Sequence, residues 1–317
     1  MTDQFHPGQV WLDTGGQPIN AHGGGMLYHE GVYYWHGECR PQGPSTLNAQ
    51  IGVSCYSSAD LHHWKNEGVV LPVIHGDGSH PMAAGCKIER PKVIRNAATG
   101  KFVMWWHHDL KGMGHLNALA GVAASDSPCG PFEFIEVLKP HWRMFRDGTA
   151  YVDEDGEGYL LYATDDNASL AISRLSGDYL KPAAPWLKVF PDRFMEAPAI
   201  FKRAGQYYFI GSGCTGWAPN EARSAIGHSV FGGWHELGNP CQGKGSEITF
   251  GGQSTFVFPV AGRKDAYIFM ADIWNPDNLA DSRYVWLPIT FQEITNHPGP
   301  RPFISWHERW GLDIFAA

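Results

Sequence analysis

Alternating apolar and polar positions, a tight turn, and a second run rich in Tyr, Phe, Val and Ile recur five times along the chain. The copies are Met26–His36, Lys92–Trp106, Thr149–Tyr162, Ala199–Gly211 and Thr255–Met270. A period of two sends alternate side chains to opposite faces of a strand, and the Gly- or Asp-bearing turn predicts a hairpin in each copy. Tyr34, Val103, Leu160, Tyr208 and Tyr267 hold comparable places, roughly 50 to 70 residues apart. Further strand-like pieces follow at Ile51–Ser57, Gly121–Ser125, Leu170–Arg174, Ala225–Ser229 and Tyr284–Phe291. A unit of three or four strands repeated five times predicts an all-β, five-bladed β-propeller with its blades standing around a central channel. No stretch of helical period and no Pro/Gly/Ser linker interrupts the pattern, so residues 1–317 read as one domain.

Composition supports short strands joined by turns: 38 glycines, 22 prolines and 13 tryptophans. Most of the aromatics read as core, although ring faces also suit the C–H faces of a pyranose. The formal net charge is -8, with no cluster of Lys and Arg, which argues against nucleic acid or an anionic membrane as partner. Met1 to Trp11 is polar and no run of 18 apolar residues occurs. The expectation is a soluble, cytoplasmic protein as written, or a secreted or periplasmic one if a leader has been removed. Cys39, Cys55, Cys86, Cys129, Cys214 and Cys241 contain no CxxC pair and read as neither a disulfide framework nor a zinc site.

In a propeller the first strand of each blade lines the channel, and the ends of those strands converge on one mouth. Counting back from the hairpins, five pairs stand at matching places: Ala21-His22, Glu89-Arg90, Arg146-Asp147, Glu196-Ala197 and Gln253-Ser254. Glu89, Asp147, Glu196 and Gln253 are polar groups that are costly near a core. Carboxylates sharing a concave site push one another's pKa values apart, which keeps one protonated near neutral pH. Glycoside hydrolysis needs such a proton donor at the leaving oxygen and a second group that activates water. Glu196 lies in the apolar stretch FMEAPAIF and suits the acid, while Asp147, beside Arg146, would stay ionised and orient it.

At these residues the sequence resembles glycoside hydrolase family 43, and within it the exo-β-1,3-galactanase branch. The stretches AHGGGMLYHEGVYYWHGE, YSSADLHHWKNEG, IERPKVI, GVAASDSPCGPF, RDGTAYVDEDG, MEAPAIF, TGWAPN, GGQSTFVFPV and SRYVWLPI carry the resemblance from about residue 20 to 292. It implies an inverting exo-glycosidase that releases galactose from β-1,3-linked galacto-oligosaccharides or galactan, with Glu196 as general acid and Asp147 tuning it. Ala21-His22 stands where most members carry the Asp base, and the resemblance puts Gln253 in its place. An amide is a weak base, so Gln253 either acts as its imidic-acid tautomer or positions the water. Glu89 assists through a shared proton network, and Glu38 recognises the galactose 4-hydroxyl, with His22 and Trp217 as further substrate contacts. Two positions depart from the branch: Ile273 stands where arginine is common, and Lys111–Asn117 has no tyrosine. The resemblance implies no required cofactor, although a structural calcium ion would fit the family.

Other readings are a sister exo-activity (α-L-arabinofuranosidase, β-xylosidase or β-galactofuranosidase) and a sugar-binding propeller without catalysis. The missing Asp argues against the first, and the joint presence of Glu196, Asp147, Glu89 and Gln253 against the second. His22-Gly23-Gly24-Gly25 lacks a GxSxG partner for an esterase and reads as a Gly-rich turn. His62-His63 and His107-His108 are adjacent pairs whose members point to opposite faces of a strand, so no metal site is expected from them. Asp153–Gly156 lacks the ligand spacing of a calcium loop and reads as a solvated hairpin turn.

Overall fold

The computed structural model describes residues 3–44, 49–295 and 298–315. Each of its five sheets comes from one continuous stretch of chain, as short local hairpins require. Blade one holds β1 (His22–His29), β2 (Val32–Cys39), β3 (Gly52–Ser58) and β4 (Lys65–Pro72). Blade two holds β5 (Lys87–Arg95), β6 (Phe102–Asp109), β7 (Leu119–Ser125) and β8 (Glu133–Leu138). Blade three holds β9 (Arg146–Val152), β10 (Gly158–Thr164), β11 (Ser169–Leu175) and β12 (Pro182–Val189). Blade four holds β13 (Met195–Arg203), β14 (Gln206–Gly213), β15 (Arg223–Gly227) and β16 (His235–Gly238). In blade five, β17 (Cys241–Gln242) lies parallel beside β21 (Arg301–Ser305), outside β20 (Arg283–Gln292), β19 (Tyr267–Ile273) and the inner β18 (Gln253–Pro259). The inner strands β1, β5, β9, β13 and β18 touch one another in a closed cycle, which makes the fold a five-bladed propeller.

The five hairpins of the sequence are the two innermost strands of the five blades, but the register differs from the one counted along the chain. Cα pairing aligns Tyr34, Val103, Tyr159, Tyr208 and Ile268, so Leu160 and Tyr267 are each one residue out. The inner strands are covered on both faces by neighbouring blades. Apolar residues therefore follow one another without alternation, and a one-residue slip leaves no mark in the sequence.

Among the described residues no strand of another blade joins the first sheet; side chains and the chain ends join blade one to blade five. Phe5 and Trp310 exchange backbone hydrogen bonds at 2.7 and 3.1 Å. The Tyr284 hydroxyl donates to the Ile19 carbonyl and accepts from the Ala21 amide, both at 2.9 Å. Between these lies an aromatic cluster in which Trp35 packs 4.8 Å from Trp286 and 4.5 Å from Tyr284. Trp35, Trp64, Trp105, Trp106 and Trp286 are fully buried, so much of the tryptophan excess is core. No disulfide is formed among the described cysteines.

Two local readings change. His22–Gly25 is the start of β1 and not a turn. A Cβ on Gly24 would lie 2.2 Å from the His36 carbonyl oxygen, so glycine there lets the two strands approach. Asp153–Gly156 is the β9–β10 turn, yet Asp153 is buried: Lys202 reaches it at 2.9 Å and the Tyr207 hydroxyl bonds it, tying blade four to blade three.

Candidate active site

Every inner strand carries a one-residue bulge near its start. Aligned across it, His22, Glu89, Arg146, Glu196 and Gln253 are equivalent, facing Glu38, His107, Ala163, Ser212 and Asp272 on the second strands. The following residue is left-handed in four blades: Gly23 (φ 57), Arg90 (φ 53), Asp147 (φ 47) and Ala197 (φ 54). A bulge re-aims a side chain, and here it turns two successive residues of one strand toward the channel mouth. Glu89 and Arg90 both line the cavity, as do Arg146 and Asp147. Asp147 is thus one residue beyond the places of Glu89, Glu196 and Gln253, and His22, not Ala21, holds the matching place in blade one.

The cavity at this mouth has a volume of about 270 Å³. Glu196 stands on one wall with both oxygens engaged: Asn167 Nδ2 donates to Oε2 at 2.9 Å and Gln253 Nε2 to Oε1 at 2.8 Å. Burial, reinforced by the charge of Asp147, pushes the Glu196 carboxyl up to about 7, against the opposing pull of Arg90, Cys214 and Gln253. Asp147 lies 3.3 Å from Arg90 Nε. Burial would raise its pKa, but the charges of Arg90 and His107 win and hold it well below the ordinary carboxylate range. The two carboxyls therefore differ in protonation at neutral pH.

Blade two supplies a second charged group. His107 Nδ1 lies 3.0 Å from Glu89, and its Nε2 lies 3.2 Å from Asp109. Burial works against the imidazolium, but Asp109, Asp147 and Glu89 outweigh it and raise His107 well above the usual histidine value. Burial likewise works against the Glu89 anion, and His107 outweighs it. Glu89, His107 and His115 place donor atoms within 4.8 Å of one another. Two imidazoles and one carboxylate form a set for a transition ion more than for calcium, which prefers oxygen.

A chain with this fold has counterparts among known proteins. The model of glycosyl hydrolases family 43 matches residues 25–275. The chain belongs to family 43. Among solved structures, a GH43 β-1,3-galactosidase bound to galactodeoxynojirimycin is 44% identical, with a TM-score of 0.91 over 97% of this chain and 100% of that one. An exo-β-1,3-galactanase from Clostridium thermocellum is 37% identical, with a TM-score of 0.86 over 96% of this chain and 66% of that one. An exo-β-1,3-galactanase from Phanerochaete chrysosporium, solved with β-1,3-galactotriose, is 32% identical, with a TM-score of 0.85 over 98% and 68%. This chain thus spans about two thirds of the two galactanase chains. No curated protein matched it.

In this family 43 hydrolase, Glu196, Gln253, Glu89, Asp147, Glu38 and Trp217 all line the one cavity. His22 does not. It is wholly buried beneath the floor, 3.5 Å from Asp272 and stacked on Tyr284 at 5.0 Å, so it cannot touch a ligand in the cavity. Glu38 is buried against Arg40 and accepts from the Arg90 amide at 2.9 Å. Trp217 is 41% exposed and meets Trp274 edge-on at 5.8 Å. His107 and His108 do face opposite ways: His108 accepts from Trp106 Nε1 at 3.1 Å in the core.

Arg90, Asn167, His115 and Trp274 also line the cavity and were not singled out from the sequence. Arg90 was within reach, being half of a repeat pair. Aligning the second strands would also have exposed the ring of Glu38, His107, Ser212 and Asp272. His115 comes from the segment that lacks a tyrosine, and Asn167 from a turn with left-handed residues at 165–167; neither belongs to the repeat. Ile273 ends β19 next to Trp274, the residue that reaches the site.

Proposed function

We propose that this hydrolase is an inverting exo-glycosidase that removes galactose from the end of β-1,3-linked galacto-oligosaccharides or galactan, with Glu196 as the general acid. The observation that carries the reading is the Glu196 carboxyl, held near neutrality by burial and Asp147 and oriented by Asn167 and Gln253. A glycosidase acid must hold its proton into the neutral range and be aimed at the leaving oxygen, and the raised pKa and the two hydrogen bonds of Glu196 support that role. The cavity supports exo action: at about 270 Å³ it lies at the small end of ligand sites, with Glu38 and Arg40 buried in its wall. One sugar ring, not a continuous chain, suits such a pocket. The galactose assignment is supported by the β-1,3-galactosidase and exo-β-1,3-galactanases named above.

Protonation of the glycosidic oxygen by Glu196 breaks the C–O bond as water attacks the anomeric carbon from the opposite face. Trp217 and Trp274 offer ring faces or edges to the sugar, and Glu38 stands where a hydroxyl can donate to it. The test is a substrate panel: β-1,3-galactobiose should be cleaved well above arabinofuranosides, xylosides and galactofuranosides. Preference for one of those three would move the substrate to a sister activity and leave the acid in place.

A further inference from the structure

Gln253 meets four partners. Its Oε1 accepts from Arg90 Nη2 and, at 2.9 Å, from Trp274 Nε1; its Nε2 donates to Glu196 at 2.8 Å and to Ser212 Oγ at 3.1 Å. Guanidinium and indole N–H groups can only donate. The orientation of the amide is therefore fixed by its neighbours: turned over, its NH2 would face two donors. The same argument applies to the tautomer. An imidic acid carries its proton on oxygen, where among the described residues Arg90 and Trp274 stand and neither can accept. Its nitrogen would keep one hydrogen for two partners.

Position points the same way. The 2.8 Å contact leaves no space for a sugar between Gln253 and Glu196, whereas the acid and base of an inverting pair stand roughly 6.5–9.5 Å apart on opposite faces of the ring. Gln253 belongs to the acid's side. Arg90 is itself held on several sides: it is buried, its Nη1 donates to the Ser254 carbonyl at 2.9 Å, and its backbone amide donates to Glu38.

We propose that Arg90 and Trp274 are positioning residues that hold Gln253 as an amide donor, so that Gln253 orients Glu196 and does not take the proton of the attacking water. The proposal rests on the glycosidase reading. In the reaction the water oxygen bonds the anomeric carbon, the glycosidic C–O bond breaks, and the leaving oxygen takes the proton of Glu196. The water's proton passes to Glu89 of blade two or Asp147 of blade three, the carboxylates lining the cavity whose pKa values are lowered.

Three measurements test it. Gln253→Glu keeps both bonds from Arg90 and Trp274 but sets a carboxylate against Glu196. Its kcat on β-1,3-galactobiose should fall about 100-fold or more; activity equal to wild type would overturn the proposal, because a glutamate is a far better base. Trp274→Phe removes one N–H and keeps a ring. Its kcat should fall about five- to ten-fold with KM and Tm nearly unchanged; an unchanged kcat would remove Trp274 from the account. In protein labelled with 15N-glutamine, the Gln253 signal, assigned by its loss in Gln253→Ala, should show two protons on nitrogen, both free and with galactose bound. A one-proton nitrogen would establish the imidic acid and sink the proposal. The NMR measurement needs no turnover, so it stays readable even if no galactoside is cleaved.

Discussion

At the scale of single residues the site works by separating two carboxyls. Glu196 sits near 7 while Asp147 stays ionised, and the charge of Asp147 is one reason Glu196 is high. Because the acid must carry its proton, kcat/KM should be flat below about 7 and fall roughly ten-fold per pH unit above it. Asp147→Asn removes a charge that raises the Glu196 pKa, so the alkaline limb of the pH–rate profile should move toward lower pH. A limb that stays put would mean the two groups are not coupled. Much of this was legible in the sequence: Glu89, Glu196 and Gln253 recur at one place in the repeat because the bulge recurs. Asp147 sits one residue further on. The partners that aim the acid were hidden, since Asn167 lies in a turn with no repeat counterpart, and Cys214 drew no notice among scattered cysteines.

At the scale of elements, the inner hairpins were readable and the outer strands were not. β4, β8, β12 and β16 lie at the blade edges, half exposed, and lack the continuous apolar runs that mark the inner pairs. The glycines of β1 were misread for a related reason: close packing of backbones needs the same residue as a turn. Gly24→Ala would drive a methyl into the His36 carbonyl at 2.2 Å. Backbone cannot yield as a flexible side chain does, so the substitution should cost about 1–3 kcal/mol or more, read as a lower urea midpoint. A midpoint within error of wild type would show that β1 and β2 can part without loss.

At the scale of the whole molecule, the repeat count predicts the propeller but not how its ring is closed. Closure depends on Phe5 and Trp310, which lie outside any repeat, and on the hydroxyl of Tyr284 in β20, shared by Ile19 and Ala21. Tyr284→Phe leaves two buried backbone groups without that partner and should cost about 1–3 kcal/mol, with the denaturant slope unchanged. An unchanged stability would place closure in the tryptophan cluster and the Phe5–Trp310 backbone pair. Closure matters to function because the cavity is walled by all five blades, and it is burial in that cavity that raises the Glu196 pKa. The most direct test is to follow β-1,3-galactobiose hydrolysis by proton NMR from the first turnover, with Glu196→Gln as control. Initial release of α-galactose, abolished in the control, is the result expected of an inverting galactosidase using Glu196. Initial release of β-galactose, or a Glu196→Gln enzyme as active as the wild type, would contradict it.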